Sequence, residues 1–110
     1  MPNAKLYIDQ TVWETQQTDF KQSLPKIRET LCQYLTVPPT ACQLALLPVY
    51  GLSDQPAVNI ELHLMPNPDR TPDLICELTS ELQKTIMSLS QSRCAVRITT
   101  LNPETYSVMK

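Results

Sequence analysis

Only one glycine, Gly51, stands in this chain. That excludes a GxGxxG turn and a P-loop, which both need several glycines for close backbone approach to phosphate. Long apolar runs are missing as well, and none approaches the ~20 residues of a membrane span. There is no basic run, and the net charge is -2, so neither nucleic acid nor a membrane is an expected partner. A single histidine, His63, falls short of a metal-ligand set, so no metal and no cofactor are expected. The four cysteines, Cys32, Cys42, Cys76 and Cys94, contain no CxxC pair. With no secretory signal at the start, they are expected to be reduced and buried in a cytoplasmic protein. What the chain does have is 42% hydrophobic residues, too many for a disordered segment. Its 110 residues suit one domain over 1–110 with one modest core. Its ten prolines fall mostly where elements should end.

The chain opens on a strand. Ala4, Leu6 and Ile8 alternate with Lys5, Tyr7 and Asp9. If Met1 is removed, the first residue is Pro2, and a secondary amine sits at the lip of a sheet. Gln10 to Gln17, with Trp13 inside it, is polar and has no clear period. Leu24, Ile27, Leu31, Tyr34 and Leu35 then recur at helical spacing. This helix is expected to start at Thr18 or near Ser23 and to stop before Pro38-Pro39. Pro25 suits its first turn and otherwise kinks it.

Cys42 to Val49 is a second strand, apolar on both sides and expected to be covered on both. Tyr50 to Pro56 is a connecting loop. Val58, Ile60, Leu62 and Leu64 alternate with Asn59, Glu61, His63 and Met65 in the cleanest strand of the chain. After the Pro66–Arg70 turn, Thr71 caps a second helix, with Pro72 first and Asp73 favoured by the helix dipole. Ile75, Leu78, Leu82, Ile86 and Leu89 form its buried stripe. Cys94, Val96 and Ile98 alternate with Ala95, Arg97 and Thr99 in a fourth strand, which Asn102-Pro103 ends.

Strand–helix–strand therefore occurs twice, over 1–50 and 56–104. The expected class is α+β: two tandem β-α-β units forming a four-stranded mixed sheet with both helices on one face. The opposite face would carry Lys5, Tyr7, Leu47, Glu61, His63 and Arg97. It is too apolar along the second strand for water and too polar for a core, so a homo-oligomer is expected to meet there. Glu61 and His63 share this face, with Asp9 a third candidate. His63 is expected to be a hydrogen-bonded interface residue.

Met-Pro opening a strand, a doubled β-α-β unit of this length and one-faced helices resemble the tautomerase superfamily. Pro38-Pro39-Thr40 before a strand and Leu62-His63-Leu64-Met65 are similar to macrophage migration inhibitory factor within it. Arg70-Thr71 is similar to the 5-carboxymethyl-2-hydroxymuconate isomerase pattern. The resemblance implies a homotrimer with Pro2 as general base on a small enol or 2-keto acid, a small-molecule carboxylate. An α-amino group titrates near ~8, and an apolar pocket lowers it toward neutrality, where a base works best. A cationic side chain would hold the carboxylate and stabilise the dienolate. Val37 stands where the family has a lysine before the Pro-Pro pair, and Ala95 where it has a tyrosine. Arg97 is then the anion clamp by position, with Met65 and Trp13 walling the pocket. Two other readings stand beside this one: a non-catalytic protein of the same fold, and a ferredoxin-like oligomeric binding or regulatory domain. The first and second strands are neighbours in a tautomerase sheet and are apart in a ferredoxin-like one.

Overall fold

The computed structural model describes residues 2–110. The removal of Met1, on which a free Pro2 nitrogen depends, concerns a residue outside the described ones. The elements run β1 (Asn3–Asp9), α1 (Gln10–Leu35), a 3-10 turn at Pro39–Ala41, β2 (Gln43–Val49), β3 (Val58–Leu64), α2 (Pro72–Ser90) and β4 (Cys94–Thr100). The sheet order is β2-β1-β3-β4. β1 runs parallel to β2 with Leu6 opposite Leu46, and antiparallel to β3 with Leu6 opposite Ile60. β3 and β4 are parallel, with Ile60 opposite Val96. The two β-α-β units thus pair through their first strands. This is the α+β arrangement that the sequence predicts, and β1 beside β2 excludes the ferredoxin-like order.

The period-2 pattern decides which way the central strands face. Ala4, Leu6 and Ile8 of β1 and Val58, Ile60, Leu62 and Leu64 of β3 are buried, while the residues between them are not. They pack with Phe20, Ile27, Leu31 and Leu35 of α1 and Leu78, Leu82 and Ile86 of α2 into one core. Each fully buried Leu, Ile or Phe contributes roughly 1.5–3 kcal/mol. A strand slip of one residue would turn these side chains out to water, so the register is strongly specified.

α2 forms as its sequence signals. The Thr71 hydroxyl accepts from the Leu74 N–H at 3.2 Å, Pro72 occupies the first turn, and Asp73 faces the positive end of the helix dipole. Thr71→Ala leaves that N–H without its cap, and is expected to lower stability by about 1 kcal/mol in urea denaturation.

α1 differs from expectation at its start. It begins at Gln10, well before Thr18. The Asp9 carboxylate caps it, accepting from the Thr11 hydroxyl at 2.7 Å and the Thr11 N–H at 3.0 Å. Those bonds, the hydroxyl's above all, hold the Asp9 carboxyl below its usual range. The helix breaks at Gln16 (φ -129, ψ 16). The Gln16 amide donates to the Ser90 carbonyl at 3.1 Å, tying this break to the far end of α2. The break interrupts the 3.6-residue period, which is why the segment reads as structureless. Pro25 lies inside the helix rather than in its first turn, on the exposed side, where it leaves the Lys21 carbonyl without its usual donor.

Two further expectations are corrected. β2 is an edge strand with one covered face: Leu44 and Leu46 pack against the core, while Gln43, Ala45 and Pro48 are exposed. Pro48 has no N–H for the ladder, which an edge position tolerates. The cysteines are not uniformly buried. Cys94 is buried, Cys32 and Cys42 are half-buried, and Cys76 is exposed on α2; all four are free. Burial pushes the Cys94 thiol up to about 11. No helix among the described residues is long and apolar enough to cross a membrane.

Candidate functional site

The strand directions define one end of the molecule. β1 and β2 begin where β3 and β4 finish. α1 ends there and α2 starts there, because each helix connects two parallel strands. Pro2, Val37, Gln43, Met65, Arg70 and Leu101 therefore gather at this end.

Pro2 is buried, and its carbonyl accepts from the Gln43 N–H at 2.9 Å. The antiparallel register pairs Asn3 with His63, so Pro2 falls beside Leu64. The next residue, Met65, offers its carbonyl to Arg70, whose Nη1 donates at 2.7 Å. This bond folds the Pro66–Arg70 turn back and brings the Arg70 guanidinium to the end of β3, the same end of the sheet as Pro2. The Arg70 Nε is buried and has no hydrogen-bond partner among the described residues. A buried donor without an acceptor carries a desolvation cost of about 1–3 kcal/mol that an incoming acceptor would relieve.

Two cavities open at this end. One of about 390 Å³ lies between the last turn of α1 and the start of α2, lined by Tyr34, Thr36, Val37, Asn67, Arg70 and Leu74. The other, of about 500 Å³, is lined by Asn3, Gln43, His63, Met65 and the C-terminal residues Leu101 and Tyr106. Thr36 adopts a left-handed conformation (φ 54) as the C-cap of α1, which turns Val37 toward the first cavity.

Of the residues singled out in the sequence, Pro2 and Met65 lie at this end, and Met65 lines the second cavity. Arg97 does not join them within one chain. It sits on β4, two strands from β1 and three residues before the strand end, about 14 Å from Pro2 by strand spacing and rise. Its Nη1 donates to the Asn59 side chain at 3.0 Å, and Asn59 lies opposite Tyr7, farther still from Pro2. Trp13 is at the other end of β1, roughly 20 Å away. It packs on the core, with the Lys21 ammonium 5.8 Å from its ring centroid. Arg70 is the cation that the sequence did not assign. Its one signal is a lone arginine closing a Pro-rich turn before a capped helix; only the bond to Met65 shows where it points.

On the open sheet face, Glu61 Oε1 lies 3.9 Å from His63 Nε2 and 3.4 Å from the donating Tyr7 hydroxyl. The Glu61 and His63 side chains are about 40% exposed, so water screens this pair. Asp9 stands apart from both: it is engaged as the cap of α1, four residues beyond Lys5, the partner of Glu61.

Neither a protein-family model nor a curated protein matches the sequence. Solved structures do match the fold. A macrophage migration inhibitory factor-like protein from Entamoeba histolytica aligns with TM-score 0.72 at 11% identity, over 98% of this chain and 95% of that one. Pt0534 inactivated by 2-oxo-3-pentynoate aligns with TM-score 0.71 at 14% identity, over 96% and 91%. A fused 4-OT wild type asymmetric trimer aligns with TM-score 0.67 at 13% identity, over 96% and 91%. Along nearly its whole described length, the chain is similar in fold to these structures, and the resemblance to the tautomerase superfamily read from the sequence holds in its architecture.

Proposed function

We propose that the protein is a tautomerase or isomerase in which Pro2, freed of Met1, is the general base. Its substrate is a small enol or 2-keto acid. The observation that carries this reading is the burial of Pro2 at the end of the sheet where the Arg70 guanidinium holds a buried, unsatisfied donor. Burial disfavours the charged amine and keeps the nitrogen able to accept a proton near neutral pH. It takes the proton α to the carbonyl and returns it to another carbon. The Arg70 guanidinium holds the substrate carboxylate and opposes the negative charge that develops on the enolate.

The protein acts as a homotrimer in this reading. The uncovered face of the sheet supports it, as does the trimeric state of the fused 4-OT structures of similar fold. Arg97 lies on that uncovered face, and would reach a Pro2 only across the boundary between copies.

Kinetics on phenylpyruvate distinguish the two cations. Arg70→Gln is expected to raise KM roughly 10- to 100-fold, the loss of one charge-assisted hydrogen bond. Arg97→Gln is expected to change KM less. The reverse order would transfer the clamp to Arg97 of a neighbouring copy and overturn the role given to Arg70.

A further inference from the structure

We infer that Cys32 and Cys42 are a reversible dithiol–disulfide pair that closes by exchange with a small disulfide of the glutathione type. Their Sγ atoms lie 3.7 Å apart. A disulfide bond is about 2.05 Å long, so closure needs a movement of under ~2 Å, within the reach of side-chain rotation. Ten positions separate the two residues, and no Cys-x-x-Cys spacing announces them. The fold brings them together. Cys32 is on the last turns of α1, and Cys42 immediately precedes β2 under that helix.

The chain between them is held at both ends. The Cys32 carbonyl accepts from the N–H groups of Thr36 and Val37 at 2.9 and 3.4 Å, and the Cys42 N–H donates to the Pro39 carbonyl at 3.1 Å. Backbone bonds thus hold the chain at both cysteines. Both thiols are half-buried, and each borders a surface hollow. Arg28 lines both hollows. Its charge attracts an anionic disulfide such as oxidised glutathione and offsets part of the burial that disfavours a thiolate at Cys42. Burial, followed by the bond to Cys32, pushes the Cys42 thiol up to about 11. The Cys32 contribution disappears once Cys32 is itself bonded to another sulfur.

The chemistry balances as thiol–disulfide exchange. One protein thiolate attacks a sulfur of the small disulfide, forming a mixed disulfide and releasing one small thiol. The second protein thiolate then attacks the protein sulfur of that mixed bond. The Cys32–Cys42 bond forms, and the second small thiol leaves. Two protein thiols are oxidised and one small disulfide is reduced to two thiols. The closed loop contains Thr36 and Val37, which line the cavity beside Arg70. Oxidation would thus pin one wall of that cavity to β2. The inference stands independently of the role proposed for Pro2.

The test is incubation of the whole protein in glutathione buffers of rising disulfide fraction, followed by thiol counting in denaturant and peptide mapping. Free thiols are expected to fall from four to two. The mass should drop by two hydrogens, with Cys32 and Cys42 peptides joined and dithiothreitol reversing the change. Cys76→Ser should still close. Cys32→Ser and Cys42→Ser should each fail to close and instead retain one glutathione on the remaining partner. Four free thiols in oxidising buffer would overturn the inference. So would a wild-type protein that keeps glutathione on Cys32 or Cys42 without closing, or a cross-link that uses Cys76 or Cys94.

Discussion

Replacing Pro2 with alanine is expected to lower kcat/KM on phenylpyruvate by about 100-fold or more, the usual contribution of a positioned general base. The alanine variant still ends in an amine, so the loss comes from position. The proline ring ties its nitrogen to the side chain, which fixes the direction of the lone pair, and fills a buried niche at the head of β1. Alanine leaves part of that niche empty, and the lone pair of its primary amine turns freely out of the reacting direction. The fold should survive, because Pro2 is held to its neighbour strand by its backbone carbonyl, which alanine keeps. Thermal unfolding of the variant separates the two effects. Unchanged turnover would reject Pro2 as the base. Lost turnover together with a collapsed melting temperature would assign the loss to folding.

Phe20→Ala should have the largest effect on stability. Phe20 is fully buried, the one phenylalanine of the chain, and it seats α1 just after the break at Gln16. Truncating such a ring removes its transfer free energy and leaves a cavity, together about 4 kcal/mol. That is a large share of the ~5–15 kcal/mol by which a domain is stable. Urea denaturation should show a lower midpoint at an unchanged slope. Trp13→Ala, at a half-buried position on the first segment of α1, should cost less. A loss below ~1 kcal/mol for Phe20→Ala would mean that the first half of α1 is not seated on the sheet as described.

The legible parts of this fold are those in which one period or one cap dominates. Alternation identified β1, β3 and β4 and told which residues face the helices. Thr71, Pro72 and a clean apolar stripe identified α2. The start of α1 was not legible, since the Gln16 break hides a short capped segment among polar residues. The sequence of β2 suggests cover on both sides because an apolar edge strand and a buried strand have the same composition; only the sheet order separates them.

The site was legible in one dimension. Pro2 and Met65 were recognisable from position along the chain, and they do lie at one end of the sheet. Which cation accompanies them depends on where a side chain points. Arg97 is on a suitable strand but turns to Asn59. Arg70, in a turn, is drawn back by the Met65 carbonyl. The Cys32–Cys42 contact depends likewise on a turn through a left-handed Thr36 that no spacing rule encodes.

Intact-mass analysis of the amino terminus, on protein that turns over phenylpyruvate, is the most direct test of the central claim. Active chains should begin at an unmodified Pro2. Active chains that keep Met1, or carry an acyl group on the proline nitrogen, would contradict it.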